Sequence, residues 1–168
     1  MTDAIVDEAN GESGTDRYPG DKVLVIYLPD CHESLAGLVA GRVRENYYRP
    51  VFVLTDSEDG VKGSGRSIES YSMYEELTGC GDLLTKFGGH PMAAGLSLDK
   101  ENVEKFKRRL NDQCTLSEEE LTEKVVIDYG TAICCYYRTF IEELEYMEPF
   151  GKGNTKPVLR QEESSCSM

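Results

Sequence analysis

A chain of 168 residues, of which 39% are apolar and 29% charged, has the composition of an ordinary globular protein and is too short for two large domains. The longest apolar run, Val23 to Leu28, is far shorter than a membrane span, so the sequence excludes a membrane protein. The acidic N-terminus lacks the basic and then apolar order of a secretory signal, which predicts a cytoplasmic location. The net charge of −13 speaks against strong non-specific binding of nucleic acid, but residues 21–114 carry fifteen acidic and twelve basic side chains and are nearly neutral.

The first 20 residues combine Asp, Glu, Gly, Ser and Asn with few large apolar side chains. Such a segment cannot bury enough apolar surface to offset the entropy that ordering costs. We therefore predict a disordered acidic leader over residues 1–20.

The segment after this leader predicts a strand, a helix and a second strand. Val23 to Leu28 is a continuous apolar run, which is typical of a strand buried on both faces. From Ser34 onward apolar residues recur at helical spacing, and the residues between them are small enough for close packing on a sheet: Ala36, Gly37, Ala40 and Gly41. Val51 to Thr55 predicts the next strand, which a crossover helix makes parallel to the first. The predicted fold class is α/β, with a mixed sheet and crossover helices.

Further elements follow up to Cys114. Ser57 to Gly60 has turn composition, and Val61 to Ser67 predicts a third strand whose glycines mark a close approach to the backbone. The remaining predictions are helices at Ser72–Thr78 and Asp82–Phe87, a loop at Gly88–Pro91, a turn and strand at Met92–Leu98, and a helix at Lys100–Gln113 with Asp99 as its N-cap. Residues 21–114 together form the predicted domain.

Residues 115–168 show weaker periodicity and predict an extension of this domain. Lys124–Tyr129 suits a strand, Tyr137–Met147 suits an amphipathic helix that ends at Glu148–Gly151, and Pro157–Leu159 suits the start of another strand. The six cysteines of the chain include no C-x-x-C pair, so they are predicted to be reduced structural thiols rather than metal ligands.

Arg66 is the first candidate for chemistry, because it ends a glycine-rich strand. A guanidinium group donates two hydrogen bonds to phosphate oxygens, and glycine at positions 63 and 65 removes side chains that would block a close approach. The alternative is an edge-strand arginine that pairs with a neighbouring carboxylate.

Gly88-Gly89-His90 is the second candidate. Two glycines permit a turn with positive φ and present backbone N–H groups to an anion, and His90 then directs its ring at the bound group. The alternative is a purely structural turn, followed by a tight helix start at Ala93 and Ala94.

His32 is the third candidate, since it lies at the carboxyl end of the first predicted strand, where α/β proteins place ligands. Its alternative role is that of a helix N-cap or backbone-bonded group. Two histidines and no Asp-His-His cluster are too few for a hydrolytic metal site, so we predict no catalytic and no metal-binding residue in the chain by itself.

Several segments, in order and at familiar spacing, resemble the DHH-associated domain of RecJ exonucleases: Cys31–Ala40, Tyr48–Leu54, Gly63–Ser67 and Leu84–Gly95. The resemblance covers roughly residues 22–114. Two further stretches, Met147–Asn154 and Lys156–Val158, look like the family's approach to its oligonucleotide-binding barrel, which is truncated here.

The resemblance implies the nucleic-acid-binding part of a single-strand-specific 5′-to-3′ DNA exonuclease that serves DNA repair and recombination. In the family a DHH domain binds two divalent ions, Mn²⁺ or Mg²⁺, which activate water against a phosphodiester, and the associated domain grips the strand across a cleft. Carried over by position, Arg66 and the Gly88-Gly89-His90 loop contact the phosphate. Ser64, Ser67 and His32 are lesser contacts. The family often has Trp-His-Pro-Gly where this chain has Cys31-His32-Glu33-Ser34, so the resemblance does not imply a stacking tryptophan there.

No Asp-His-His stands in these residues, so the implied partners are single-stranded DNA, or RNA, and a DHH domain on another chain or upstream. The chain alone is expected to bind no cofactor and to hydrolyse nothing. One alternative is a DHH-family phosphoesterase of short oligonucleotides or cyclic dinucleotides, whose associated domain shares the Gly-Gly-His loop. The other is a degenerate fragment without activity.

Overall fold

The computed structural model describes Asp7 and residues 20–132, 138–151 and 153–162. Apart from Asp7 and Gly20, the predicted leader over residues 1–20 lies outside these described residues. The chain divides into two compact units, the first ending at Glu123 and the second beginning at Lys124. Leu116 and Leu121 are buried in the core of the first unit, which therefore extends past residue 114. Among the described residues no helix combines the length and apolarity needed to cross a membrane.

The first unit opens with the predicted crossover. Its first elements are β1 (Leu24–Tyr27), α1 (Glu33–Tyr47), β2 (Val51–Ser57) and β3 (Gly60–Arg66). Leu24 pairs with Val51 in a parallel register, which confirms the strand, helix, strand prediction. The predicted turn between β2 and β3 is also confirmed, and Gly60 supplies the positive φ of +122° at its exit.

The chain continues through α2 (Met73–Gly79), a 3₁₀ turn (Gly81–Leu83), β4 (Leu84–His90), β5 (Ala93–Leu98), a second 3₁₀ turn (Lys100–Asn102) and α3 (Val103–Gln113). The helix predictions at Ser72–Thr78 and Lys100–Gln113 are confirmed, although the latter begins as a 3₁₀ turn. The helix predicted at Asp82–Phe87 is wrong beyond the 3₁₀ turn that ends at Leu83, and the loop predicted at Gly88–Pro91 is wrong except at Pro91, which lies in the turn before β5. From Leu84 to His90 the backbone pairs with β5 as a strand.

The five strands form one sheet in the order β1-β2-β3-β5-β4. β1 and β2 are parallel, whereas every other neighbouring pair is antiparallel, which confirms the predicted mixed sheet. β1 and β4 are its edges.

Helices cover both faces of the sheet but leave part of one face open. On the first face Val39 and Val43 of α1 are fully buried against Val51 and Val53 of β2. On the second face α2 and α3 pack over the sheet, where Phe52 and Phe106 meet edge to face with ring centroids 5.7 Å apart. Fully burying one such side chain contributes about 1.5–3 kcal/mol. The positions of β3, β5 and β4 that share the face of α1 all keep access to solvent.

The second unit contains β6 (Tyr129–Ala132), α4 (Arg138–Glu145) and β7 (Leu159–Glu162), with β6 and β7 parallel. The strand predicted at Lys124–Tyr129 is wrong except for its last residue, because residues 124–128 form no regular element. The predicted helix is confirmed and ends earlier, at Glu145, and the strand predicted to start at Pro157–Leu159 starts at Leu159. The approach to a barrel, expected at Met147–Asn154 and Lys156–Val158, stays a prediction.

Candidate nucleic-acid interface

Arg66 and His90 lie in one row across the sheet. Each is the antiparallel partner of Ala93, which stands between them on β5. Neighbouring strands are about 4.8 Å apart, so the Cα atoms of Arg66 and His90 are about 10 Å apart. Directly opposed residues of antiparallel strands share a face of the sheet, so both predicted phosphate contacts belong to the same face.

The same face carries two further rows of partners. Ser64, Gly95 and Gly88 form the second row, and Lys62, Ser97 and Lys86 form the third. β5, the middle strand of these rows, therefore contributes only small side chains, while β3 and β4 on either side of it carry the longer, basic ones. We call these nine positions the trough: Lys62, Ser64, Arg66, Ala93, Gly95, Ser97, Lys86, Gly88 and His90.

The residues that form the floor of the trough are not among the predicted site residues. Their signal is the alternation in Ala93-Ala94-Gly95-Leu96-Ser97, in which Ala94 and Leu96 are buried in the core and the three other residues face the trough. Small residues at every second position of a central strand let another backbone approach the sheet closely.

The guanidinium of Arg66 is held by neutral acceptors. Its Nη1 donates to the Gly65 carbonyl at 2.8 Å and to Ser64 Oγ at 3.3 Å. Its Nη2 lies below α1, where a Cβ added to Gly37 would come within 2.8 Å of it. Within the described residues Arg66 forms no ion pair, so the alternative of a carboxylate partner finds no support there. In the described part of the chain, the charge of this half-buried group therefore has no opposite charge paired with it.

The glycines that flank Ser64 do not make room for a ligand. A Cβ at Gly63 would lie 2.5 Å from Leu54 Cδ2, and a Cβ at Gly65 would lie 2.6 Å from Met73 Sδ. The close approach predicted for this strand is therefore real, but core side chains make it, on the face opposite the trough. The interpretation that these glycines admit a phosphate is wrong.

Gly88, Gly89 and His90 end the edge strand β4 and are exposed. Gly89 has φ of +154°, and a Cβ there would come within 2.4 Å of the Ala93 carbonyl oxygen. A Cβ on Gly88 would meet nothing within 4 Å. The hairpin that follows is tied down because Met73 N donates to the Pro91 carbonyl at 3.0 Å.

Two lesser candidates have structural partners. Ser67 is buried, and its hydroxyl donates to the Tyr71 carbonyl at 2.6 Å, so it does not line the trough. His32 occupies the N-cap of α1, where its Nδ1 accepts from Ser34 N at 3.3 Å. The N-cap alternative for His32 thus describes its observed contact.

Charge is unevenly distributed along the trough. Lys62 donates to Glu33 Oε2 at 2.7 Å, and this hydrogen bond lowers the pKa of Glu33 and raises the pKa of Lys62. Asp59 and Glu58 raise the pKa of Lys62 further through their charge. The charge of Lys62 is therefore compensated by acidic side chains, whereas among the described residues neither Arg66 nor His90 forms an ion pair. The charge distribution therefore favours an anion beside Arg66 and His90.

The described residues do not offer a site for the divalent ions that the family resemblance implies. Among them, no three His, Cys, Asp or Glu side chains lie close enough to hold a metal ion. The thiols of Cys80 and Cys114 are buried, and burial raises the pKa of Cys80 to about 11 and raises the pKa of Cys114 as well. Protonated buried thiols act as small apolar side chains.

Comparison with known proteins agrees with the fold. The family model of the DHHA1 domain matches residues 20–116. The single-stranded-DNA-specific exonuclease RecJ of Bacillus subtilis is 35% identical over 161 residues, which is 94% of this chain and 20% of the relative. The chain thus spans about a fifth of the length of that curated relative.

Solved structures show the same likeness. The crystal structure of Thermus thermophilus RecJ in complex with Mg²⁺ superposes with a TM-score of 0.79 at 29% identity, over 93% of this chain and 24% of that one. The structure of the same enzyme in complex with Mn²⁺ gives a TM-score of 0.74 at 28% identity, over 93% and 23%.

Proposed function

Because this chain belongs to the DHHA1 domain family, we propose that it is the nucleic-acid-binding part of a single-strand-specific DNA exonuclease of the RecJ type. The observation that carries the proposal is the row formed by Arg66, Ala93 and His90. It brings to one face of one sheet an exposed imidazole and a guanidinium that pairs with no carboxylate of the described residues. DNA repair and recombination, as well as a cytoplasmic location, remain part of this proposal.

In this proposal a phosphate of the strand lies over Ala93, between Arg66 and His90. Arg66 donates from its free N–H groups, and the exposed Gly88-Gly89 backbone lies beside the same position. Contacts of this kind fix the position of the strand and read no base sequence. Binding is therefore expected to be independent of sequence and sensitive to salt.

The small floor of the trough supports a single strand as the ligand. Ala93, Gly95 and Ser97 let a sugar-phosphate backbone approach the sheet, while the longer side chains on both sides limit the width. A flexible single strand follows such a path, whereas a stiff duplex does not. Ser64 lies beside the path and also positions Arg66 by accepting from its Nη1.

Hydrolysis is proposed to need a second domain. RecJ of Thermus thermophilus was crystallised with Mg²⁺ and with Mn²⁺, and in the complete enzyme a DHH domain would hold such ions. The described residues of this chain offer no ligand set for them. We therefore assign to this chain the task of holding the strand, and to a DHH domain, on this or another chain, the supply of the metal-activated water.

Fluorescence anisotropy with an end-labelled oligothymidylate tests the proposal. The protein should bind the single strand at low salt, and log K should fall with log salt with a slope of about −0.7 for each phosphate contact. A duplex of the same length should bind more weakly. The oligonucleotide should remain intact in the presence of Mn²⁺ until a DHH domain is added.

Two results would overturn the proposal. Absence of binding at the lowest salt, or a preference for the duplex, would contradict the assigned ligand. Degradation of the single strand by the purified chain alone would contradict the division of tasks between the domains.

A further inference from the structure

Tyr74 and Phe87 form an exposed aromatic pair that the phosphate site does not explain. Their rings lie 6.2 Å apart between centroids at an interplanar angle of 46°. Tyr74, on α2, is 50% exposed, and Phe87, on β4, is 37% exposed. Large side chains exposed as a contiguous group mark interaction surfaces more often than single exposed ones do.

This pair adjoins the trough around the edge of the sheet. Phe87 directly precedes Gly88, and side chains alternate along a strand, so its ring lies on the face opposite the trough. β4 is the edge strand, and every residue from Thr85 to His90 is exposed. Gly88 has no side chain, and a Cβ placed there would meet nothing. Nothing in the described first unit therefore blocks a chain that passes from the trough around β4 to the two rings.

The residues next to the rings suit a nucleotide strand. Lys86, exposed on the trough side, precedes Phe87, so a strand that crosses this edge meets a cation on one face and an aromatic ring on the other. Proteins that bind single strands without sequence preference combine a basic path for the phosphates with aromatic rings on which bases stack.

We infer that Tyr74 and Phe87 are a stacking platform for one base of a single strand that also places a phosphate, farther along its backbone than the adjacent nucleotide, between Arg66 and His90. The inference rests on the proposed function and adds a contact with the base to the contacts with phosphate. Every base has a flat π surface, so the platform strengthens binding without selecting a sequence.

The test compares two oligonucleotides with the same phosphates, one with all its bases and one with a run of abasic sites. Loss of a stacked base lowers affinity roughly 5- to 150-fold, so the intact full-length protein should bind the base-bearing strand more tightly by a factor in this range. Phe87→Leu and Tyr74→Leu should each reduce that ratio toward one. Their affinity for the abasic strand and their salt dependence should not change.

Tyr146→Leu is the matched control, because Tyr146 is 88% exposed and belongs to the second unit. It should retain the wild-type ratio, and thermal unfolding should show that all three variants are folded. If Phe87→Leu impairs folding, Tyr74→Leu, at a half-exposed helix position, gives the answer.

The same measurements distinguish a failure of the stacking platform from a failure of the proposed function. Equal affinity of the wild type for both strands, or an unchanged ratio in folded Tyr74→Leu and Phe87→Leu variants, overturns the platform and leaves the phosphate site standing. Absence of binding to either strand overturns the proposed function together with the platform.

Discussion

Gly37 of α1 lies directly over the guanidinium of Arg66, and a Cβ at Gly37 would come within 2.8 Å of Arg66 Nη2. Glycine inside a helix costs about 0.5–1 kcal/mol relative to alanine. Here the glycine leaves space for a charged group that lies on the trough side of the sheet and not in the core. The helix thus gives up some stability at the place where the proposed phosphate contact is positioned.

Gly37→Ala is therefore expected to weaken binding without weakening the fold. Arg66 Nη2 is the end of a flexible side chain and can move away, so the free energy of unfolding should stay level or rise by up to about 1 kcal/mol. The displaced guanidinium should bind single-stranded DNA less tightly. Fluorescence anisotropy and chemical denaturation measure the two effects separately.

Gly41→Ala in the same helix is the control. Nothing lies within 4 Å of a Cβ at Gly41, so this substitution should stabilise α1 by about 0.5–1 kcal/mol and leave DNA affinity unchanged. If both substitutions leave binding unchanged, the position of Arg66 does not matter to the ligand.

Arg66→Ala should cost about 1.5–3 kcal/mol of binding free energy, the range for a hydrogen bond to a charged group. Arg66→Lys keeps the charge but loses the planar fork, so it should restore the salt dependence and only part of the affinity. Both variants are compared with the wild type at matched salt by anisotropy. Ordinary affinity of Arg66→Ala would remove this residue from the proposed site.

The two glycines of β4 should respond differently to alanine. Gly89→Ala places a Cβ within 2.4 Å of the Ala93 carbonyl at a φ of +154°, so it should destabilise the fold by roughly 1–3 kcal/mol. Gly88→Ala has room for its methyl group and should leave stability unchanged, while the methyl group protrudes into the trough and lowers affinity for single-stranded DNA. Denaturation curves of both variants measure the change in stability, and binding isotherms measure the change in affinity for single-stranded DNA. Equal stability of the two variants would contradict the strain at Gly89.

The region of β4 shows where the sequence misleads. Leu84 and Phe87 are three residues apart, a spacing that favours a helix, and Gly88-Gly89 is typical of a loop. The strand forms because the backbone of residues 84–90 pairs with β5, and strand formation depends on such tertiary contacts more than helix formation does. By contrast, β1, α1 and β2 were predictable, since burial on both faces of the sheet leaves a strong apolar pattern there.

The sequence predicts which residues belong to the candidate site better than it predicts how they are arranged. Arg66 and His90 were recognised by residue type and by resemblance, but their common row depends on the register with Ala93, which no local pattern encodes. For Gly63 and Gly65 the sequence indicated a close approach without the face on which it occurs. The motif points to Ser67 through its neighbours, but this residue directly follows β3 and its side chain is buried.

The ion pair between Glu33 and Lys62 gives a pH-dependent prediction. The hydrogen bond from Lys62 lowers the pKa of Glu33 below its usual 4.5, so the folded state binds this proton less readily than the unfolded state does. The stabilisation is fully present above about pH 4.5 and is lost as the pH falls through the lowered pKa of the folded state. Chemical denaturation should show Glu33→Gln to be less stable than the wild type at pH 7, with the difference shrinking toward pH 3 and in high salt.

The same substitution should improve binding of DNA. Without Glu33 the ammonium group of Lys62 becomes available to a phosphate in the third row of the trough, so Glu33→Gln should raise affinity at low salt and steepen the salt dependence. Glu101→Gln removes the same charge from an exposed position that has no ion pair among the described residues, and it serves as the control. A gain of equal size in both variants would show that net charge alone is responsible. A gain confined to Glu33→Gln would show that this carboxylate competes with the strand for Lys62, because only there does the lost charge release a neighbouring cation.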